Sequence, residues 1–378
     1  MAIDMSVTTS RRQFVQTGVV TLASLRGLNA EEADAVIRQP QNSRRVVMGE
    51  IRRIFTSEGE RDYNAFTNIT FWRGKYYVVF TQKTRHIASP PDGRLIVLES
   101  EDLREWSATT LPDAPGDDRD AKIVSTAERL VVYNTPYPHE TMVSFTLDGV
   151  QWTDPAVAYP VGKRKVGRQT RGAQFWKPKF HDGMYYVACD YTNDTVDLLK
   201  SSDGLEWKYH ATIMTGSKYP RTERPTETAI VFLRDGSCLA MSRLNDVEGG
   251  NCIAGFSIAK PPYESWDFTL GQAIRFGGQA VERFDDTIVV AARAEIGQQP
   301  GQWDLPIDHG WNGMRTAVYT FNVRRMRLEL QAILPSEHRR DNSYCGVIRT
   351  RKDRGIISWY DGDTTDKSDV WIANFGII

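Results

Sequence analysis

The sequence predicts an all-β fold, a six-bladed β-propeller, because one strand–turn–strand pattern recurs along most of the chain. Two short apolar runs separated by turn residues occur in six segments: 66–80, 121–133, 175–189, 229–241, 280–292 and 344–359. The turn positions Gly74, Glu128, Gly183, Gly236, Asp286 and Arg354 are 54, 55, 53, 50 and 68 residues apart. Repeats of about fifty residues built from strands and turns are typical of propeller blades.

The segment 224–243 is the clearest of these units. Its apolar runs, 229–233 and 238–241, flank an Asp-Gly pair, and a Gly there accepts the positive φ of a tight hairpin turn. Glu227 precedes the first run and Arg243 follows the second, so both side chains are expected at the end of the hairpin opposite the turn. A carboxylate and a guanidinium placed in this way indicate a functional site on a structural scaffold.

The two ends of the repeat region predict how the propeller closes. Segment 46–56 reads as a strand without a hairpin partner, and the last unit continues with one further strand, 369–375. We expect the N-terminal strand to complete the last blade, because this pairing removes exposed strand edges. The domain prediction is an export signal or disordered N-terminus over 1–40 and one propeller domain over 41–378. The long last interval contains segment 298–314, which is expected to be an inserted loop.

The N-terminal segment resembles a bacterial twin-arginine (Tat) export signal. Arg11 and Arg12 follow Ser10 and precede Phe14, and a mildly apolar stretch follows over 17–28. We therefore expect a periplasmic or secreted protein. The alternative is a cytoplasmic protein with a disordered basic tail.

Composition excludes several classes of function. The net charge is −1, with 47 Lys and Arg against 48 Asp and Glu, so no nucleic-acid partner is expected, and no apolar run is long enough to span a membrane. The six His residues have no metal-binding spacing, so neither a metal nor a cofactor is expected. The four Cys residues read as buried thiols, with a Cys238–Cys252 disulfide as the alternative.

Three turns between outer strands carry an Asp followed by a Trp. They lie at 100–106, 145–152 and 201–207, and the last contains Ser201, Asp203, Gly204 and Trp207. The Asp carboxylate is expected to accept turn N–H groups while the Trp packs beneath, so the motif has a structural role. These turns resemble the Asp-box (BNR) repeats of the sialidase, or neuraminidase, superfamily, whose members are six-bladed propellers. Such turns also occur in non-catalytic propellers, so they indicate the fold more than the activity.

The resemblance implies a set of catalytic residues. Sialidases use a Tyr nucleophile activated by a Glu, an acid/base Asp and three Arg residues that bind the substrate carboxylate. Glu227 and Arg243 match the family's Glu and one Arg in spacing, and Arg315 and Tyr344 match a second Arg and the Tyr. A planar guanidinium suits a carboxylate because it can donate to both oxygens.

The first blade departs from the family pattern. Asn64 stands where the first Arg is expected, and Arg85, beside His86, resembles another first-blade Arg. Asp92 is the nearest match to the acid/base Asp, although a turn Asp before Gly93 is the stronger interpretation, and Asp120 is the alternative acid, with Arg119 beside it as a substrate contact. His86, Arg293 and Trp176 are weaker site candidates.

The expected function is an exported glycoside hydrolase that acts on a terminal, acidic sugar of a carbohydrate substrate. The first alternative keeps the propeller and changes the reaction to a non-sialic-acid glycosidase or a polysaccharide lyase. The second alternative is a non-catalytic glycan-binding propeller.

Overall fold

The computed structural model describes residues 44–56, 59–86, 88, 90–114, 116–136, 141–158, 160–161, 173–191, 195–216, 222–246, 252–272, 274–295, 314–336, 341–362 and 367–378. Over these ranges the regular elements are β-strands in a β-propeller arrangement, so the predicted fold class is confirmed at that level. No helix in this part of the chain could cross a membrane. The predicted N-terminal export segment and most of the predicted inserted loop lie outside the described ranges.

The strands are numbered in chain order: β1 (Val46–Phe55), β2 (Tyr63–Trp72), β3 (Lys75–Lys83), β4 (Arg94–Ser100), β5 (Ser107–Thr110), β6 (Lys122–Ser125), β7 (Leu130–Asn134), β8 (Met142–Thr146), β9 (Ala156–Val157), β10 (Pro160–Val161), β11 (Ala173–His181), β12 (Met184–Tyr191), β13 (Thr195–Ser201), β14 (Trp207–Thr215), β15 (Thr222–Phe232), β16 (Cys238–Asp246), β17 (Cys252–Ala259), β18 (Asp267–Leu270), β19 (Ala280–Phe284), β20 (Thr287–Glu295), β21 (Met314–Asn322), β22 (Arg327–Ile333), β23 (Asn342–Arg351), β24 (Arg354–Gly362) and β25 (Ser368–Ile377).

These strands form five sheets. Four of them are antiparallel meanders: β6 to β9, β11 to β14, β15 to β18 and β19 to β22, with β10 added in parallel to β14. The fifth sheet has eight strands and consists of two antiparallel runs, β2 to β5 and β23-β24-β25-β1. One parallel residue pair, Tyr63 and Ser368, joins these runs. The six predicted hairpins are all present.

The N-terminal strand pairs where the sequence predicted. β1 is antiparallel to β25, with Val46 opposite Ile377 and Phe55 opposite Val370. Val46 packs in one apolar cluster with Phe375 and Ile377. The first strand of the described chain and the last therefore cover each other's edges.

The apolar core lies between consecutive sheets. One cluster joins Trp72 and Tyr77 of the β2–β5 run to Ile123 and Val132 of the next sheet. Similar clusters lie between each further pair of neighbouring sheets. The last one returns to the β2–β5 run, where Ile69 and Phe80 pack with residues of β24 and β25. Alternate residues of each strand thus face opposite neighbours, as the pleat requires.

The Asp-Trp turns have the predicted structural role. Asp203 Oδ1 accepts hydrogen bonds from the N–H groups of Leu205 at 2.8 Å and Glu206 at 3.0 Å, and Ser201 Oγ accepts from the Gly204 N–H at 2.9 Å. Trp207 is fully buried below this turn. Asp102 and Asp148 make the same pair of bonds in the other two turns.

The cysteines are described in part. Cys189, Cys238 and Cys345 are free, buried thiols. The alternative of a Cys238–Cys252 disulfide is wrong, because the strand register places Cys238 opposite Ala259 and Cys252 opposite Asn245, at the other end of the pair.

Six residues with positive φ occur at similar places in successive units, within the first strand or just before it. They are Phe66, Asp120, Lys177, Glu227, Gly278 and Tyr344. At Phe66, Lys177, Glu227 and Tyr344 the left-handed residue coincides with a register shift in the first hairpin. A bulge of this kind redirects a side chain out of the regular pleat. These bulges turn side chains from distant parts of the sequence toward one another.

Candidate active site

A Tyr–Glu pair lies at the centre of the candidate site. The Tyr344 hydroxyl donates to Glu227 Oε1 at 2.7 Å, across 117 positions of sequence. Glu227 is 5% exposed and Tyr344 is half-buried. Both residues have positive φ, 49° and 41°, so each side chain leaves its strand at a bulge. The two bulges therefore bring the phenol and the carboxylate into contact.

Glu227 is held as a carboxylate by several donors. Arg243 Nη1 donates to Oε1 at 2.7 Å, and the Gly278 N–H donates to Oε2 at 2.7 Å. Burial raises the pKa of Glu227, but Arg243, the Gly278 N–H and Arg293 outweigh burial and bring the pKa below its ordinary value. The side chain is thus an ionised acceptor with a fixed orientation.

Tyr344 is held as a neutral phenol. Burial, followed by the negative charge of Glu227, raises the pKa of Tyr344 well above its ordinary value, against the opposing effects of Arg243 and Arg293. The Arg293 guanidinium lies over the ring, 5.5 Å from its centroid. Trp176 and Phe66 meet the ring edge to face at centroid distances of 5.6 Å and 4.9 Å. The ring is therefore fixed on several sides.

Gly278 allows the two residues to come together. Its φ is 60°, and a Cβ at this position would lie 2.5 Å from the backbone N of Tyr344. The neighbouring Gln279 side chain donates to the carbonyl of Glu227 and to that of Met241 at 2.9 Å. The chain before β19 thus supports both Glu227 and Tyr344.

A second polar cluster adjoins the first. Asp341 Oδ2 contacts His86 Nδ1 at 2.8 Å and accepts from the Tyr63 hydroxyl, which is 2.7 Å from the same nitrogen. Arg293 Nη2 donates to Asp341 Oδ1 at 3.2 Å and to the Asn342 carbonyl at 2.9 Å. Burial raises the pKa of Asp341, but the His86 hydrogen bond and the Arg293 charge lower it to about 2. Arg293 therefore links this cluster to Tyr344.

Asp120 and Arg119 lie beside the Tyr–Glu pair. Asp120 is half-buried, and its Oδ2 accepts from Gln174 Nε2 at 3.0 Å. Burial raises the pKa of Asp120 while Lys122 and Arg119 oppose this, and its charge acts on both Glu227 and Tyr344. Arg119 Nη2 donates to Asp117 Oδ2 at 2.5 Å and to the His86 carbonyl at 3.4 Å. Asp120 and Arg119 therefore both lie next to the Tyr344–Glu227 site.

Three predicted site residues are placed elsewhere. Asn64 is fully buried and donates to the Ser368 carbonyl at 2.8 Å, so it joins two strands instead of facing a ligand. Asp92 Oδ2 accepts the Thr84 N–H at 3.1 Å, a contact to the start of the same loop. Arg85 is exposed at the surface, next to His86. Asn64 and Asp92 thus have hydrogen bonds within the fold, and their assignment to the site stays a prediction.

Arg315, the predicted second Arg for the substrate carboxylate, stays a prediction. It is half-buried on β21, opposite Ala294, whereas Arg293 of the neighbouring strand lies over the Tyr344 ring. Arg293, a weaker candidate in the sequence, is therefore in contact with Tyr344. Both guanidiniums come from the same end of neighbouring strands.

Sequence reasoning missed Asp341, Tyr63 and Asp190. Asp190 Oδ2 accepts from the Thr226 hydroxyl and from the Glu227 N–H at 3.3 Å, so it supports the bulge. Asp341 directly precedes Asn342-Ser343-Tyr344, the segment that identified the nucleophile. Its position there was the available signal for Asp341, and no comparable pattern marks Asp190. No group of His, Cys, Asp or Glu suited to a metal ion occurs among the described residues.

The arrangement can support nucleophilic chemistry. A carboxylate in hydrogen-bond contact with a phenol can accept its proton as the phenolic oxygen attacks an electrophilic carbon. The flanking guanidiniums offer donors to an anionic group on the substrate. A neutral Tyr also approaches an anionic sugar without the repulsion that a carboxylate nucleophile would meet.

The fold is similar to that of sialidase β-propellers. No protein-family model matches the sequence, and no curated protein matches it. Among solved structures, a Dyadobacter fermentans protein of unknown function superposes with a TM-score of 0.68 at 15% identity, covering 88% of this chain and 99% of that one. The phage phi92 endosialidase gives a TM-score of 0.61 at 10% identity, covering 87% and 69%.

A third similar structure is the K499G mutant of the NanB sialidase from Streptococcus pneumoniae, with a TM-score of 0.58 at 10% identity, covering 87% of this chain and 70% of that one. At these identities the likeness establishes the fold. The resemblance to the sialidase superfamily that the sequence suggested is confirmed at that level.

Proposed function

We propose that this protein is a glycoside hydrolase that removes a terminal acidic sugar, with Tyr344 as the nucleophile and Glu227 as the base that activates it. The observation that carries the proposal is the 2.7 Å hydrogen bond from the Tyr344 hydroxyl to Glu227 Oε1. Glu227 is ionised and Tyr344 is neutral in the resting site, which is the protonation state that this reaction needs.

The chemistry proceeds from that contact. Tyr344 Oη attacks the anomeric carbon as its proton passes to Glu227, and the bond to the leaving oxygen breaks as that oxygen takes a proton from an acid. Water then attacks the anomeric carbon and gives a proton to the conjugate base of that acid, while the bond to Tyr344 Oη breaks and the phenol recovers its proton from Glu227. Two displacements at one carbon retain the anomeric configuration.

The cationic groups support an acidic substrate. Arg243 bonds to Glu227 and Arg293 lies over the Tyr344 ring, while Arg119 acts electrostatically on Tyr344. Arg315 lies on the strand next to that of Arg293. Asn64, however, is buried where the family pattern has its first Arg. This difference favours, as a second candidate, a glycosidase or lyase for an acidic sugar other than sialic acid.

A panel of 4-methylumbelliferyl glycosides tests the proposal. The panel pairs sialic and hexuronic acids with the corresponding neutral sugars, and release of the fluorophore is measured for the full chain. We expect turnover of an acidic member and a preference for it over its neutral counterpart. Arg315→Lys should raise KM for the acidic sugar because an ammonium cannot make a two-point contact. Binding of the same sugars without turnover would establish a glycan-binding propeller instead.

We also propose that the propeller has six blades. The single residue pair that joins the two runs of the eight-stranded sheet supports reading each run as one blade. The six left-handed residues, one at the start of each unit, support the same count.

Export remains a proposal that rests on Arg11 and Arg12. Replacing both with Lys should retain the precursor in the cytoplasm, as measured by fractionation of the native host. Equal export of the variant and the natural chain would contradict a twin-arginine signal.

A further inference from the structure

The reaction proposed above gives no role to His86, which lies in the second polar cluster of the site. It lies in the loop after β3, and Asp341 contacts its Nδ1 at 2.8 Å. A carboxylate at Nδ1 fixes the ring orientation and places the hydrogen of the neutral ring on that nitrogen. Nε2 makes no hydrogen bond within the described part of the chain, and a third of the side chain, 33%, is exposed. The ring is thus oriented by a buried acid and open on its other edge.

The position of the ring relates it to the nucleophile. Phe66 separates the two rings, with centroid distances of 5.8 Å to His86 and 4.9 Å to Tyr344. Arg293 bonds to Asp341 on one side and lies over the Tyr344 ring on the other. His86 also acts electrostatically on Asp120, which in turn acts on Tyr344. His86 is therefore linked to Tyr344 and Glu227 through Phe66, Arg293 and Asp120.

Neither acid that the sequence suggested is as well placed. Asp92 Oδ2 accepts the N–H of Thr84, eight residues earlier in the chain. Asp120 is bonded to Gln174 and lies in the field of Lys122 and Arg119. His86, by contrast, combines an open nitrogen with an orienting carboxylate, which is the arrangement that marks acid–base groups in active sites.

We propose, on the basis of the proposed function, that His86 is the general acid and base of the reaction, with Asp341 holding its ring. In the first step the imidazolium Nε2–H protonates the leaving oxygen as Tyr344 Oη bonds to the anomeric carbon and Glu227 takes the phenolic proton. In the second step neutral Nε2 accepts a proton from the attacking water while Glu227 returns its proton to Tyr344. The sum is hydrolysis of one glycosidic bond by one water molecule, with every side chain restored.

The charged and titratable groups around His86 come from three parts of the chain. Asp341 precedes β23, Tyr63 lies on β2, and Arg119 and Asp120 precede β6. His86→Asn keeps an N–H that can face Asp341 and removes the open nitrogen. It is therefore the variant that isolates acid–base function from packing.

Dependence on the leaving group tests the inference. A general acid speeds the departure of an alkyl or sugar alcohol, because these are poor leaving groups unless they are protonated. It has little effect on the departure of a nitrophenol, which leaves without protonation. For His86→Asn we expect kcat/KM, which reports the first step, to fall roughly 10²- to 10⁴-fold on the poor leaving group and to stay within about threefold on the nitrophenyl glycoside. The second step is common to both substrates, so kcat on the nitrophenyl glycoside should fall because hydrolysis of the intermediate loses its base. His210→Asn, on the outer strand β14, is the matched control and should change neither rate. Added imidazole should restore turnover to His86→Gly on the poor leaving group.

The outcomes separate this inference from the proposed function. An equal loss of kcat/KM on both leaving groups, or none, overturns the role of His86 while turnover by the natural chain still supports the proposed function. The same leaving-group dependence in Asp120→Asn and not in His86→Asn assigns the acid to Asp120 and overturns the inference. Absence of turnover on every glycoside of the panel overturns both.

Discussion

The Tyr344–Glu227 contact can be tested by removing one oxygen atom. Tyr344→Phe keeps the ring and its packing against Trp176 and Phe66, so the melting temperature should fall by no more than about 4 °C, as expected for one lost hydrogen bond. Turnover on the accepted glycoside should fall at least about a thousandfold, because the reacting atom is gone. The double variant with Glu227→Gln should lose little more than either single variant, because the two residues act on one step.

Tyr133→Phe is the matched control for this variant. Its hydroxyl donates to the Gly204 carbonyl in an Asp-Trp turn, so the substitution also removes one buried hydrogen bond. It should lower stability to a similar extent and leave turnover unchanged. Near-natural turnover by Tyr344→Phe would show that the Tyr is a packing residue.

Asp190 predicts a pH dependence of stability. Burial raises its pKa to about 7, against the hydrogen bonds from Thr226 and the Glu227 N–H. The unfolded chain ionises this group near pH 4, so its contribution is fully present below about pH 4 and is lost as the pH rises through 7. The slope is at most about 1.4 kcal/mol per pH unit for one proton. Asp190→Asn should remove that slope. The free energy of unfolding of the variant, relative to that of the natural chain, should therefore be higher at pH 8 than at pH 5.

Urea unfolding of both chains at pH 5 and pH 8 measures the difference. Glu206→Gln, at an exposed turn position, is the control and should keep the pH profile of the natural chain. Parallel pH profiles for Asp190→Asn and the natural chain would show that Asp190 titrates in the ordinary range.

At the scale of the strand, the left-handed residues at the start of each unit position the site. Gly278→Ala should bring a Cβ to 2.5 Å from the Tyr344 backbone N and displace the nucleophile. Gly183→Ala also places Ala at positive φ, 76°, but its Cβ would meet nothing within 4 Å. We therefore expect both variants to lose about 1 to 2 kcal/mol for the backbone conformation. Only Gly278→Ala should lose more stability than this, and only this variant should also lose turnover. Equal stability and equal activity of the two variants would contradict the close approach.

The hairpins could be predicted from sequence because each is encoded locally, by two apolar runs and a turn residue. The β15–β16 turn at Gly236, with φ 84°, is an example. The meeting of Glu227 with Tyr344 followed from family spacing, and the two residues do meet. The contacts that Arg293, Asp341 and Tyr63 make in the site did not follow from spacing, because bulges and register shifts decide which side chains leave the pleat. Asn64 shows the converse, since its position matched the pattern while its side chain bonds to Ser368.

At the scale of the whole molecule, β1 closes the ring by covering β25. A chain that begins at Glu58 lacks this strand and its contacts with Phe375 and Ile377, and it exposes the β25 edge. Its free energy of unfolding should be several kcal/mol lower than that of a chain that begins at Arg44, as measured by urea unfolding. Equal stability of the two chains would show that closure by β1 contributes little.

The most direct test of the central claim is to identify the atom that carries the sugar. A fluorinated glycosyl fluoride of the sugar that the protein accepts should accumulate as a covalent intermediate, because the added fluorine slows its hydrolysis more than the good leaving group slows its formation. Proteolysis and mass spectrometry should find the mass of the sugar on the peptide that contains Tyr344, and Tyr344→Phe should show no adduct. An adduct on another residue, or turnover without any adduct on Tyr344, would contradict the assignment of Tyr344 as the nucleophile.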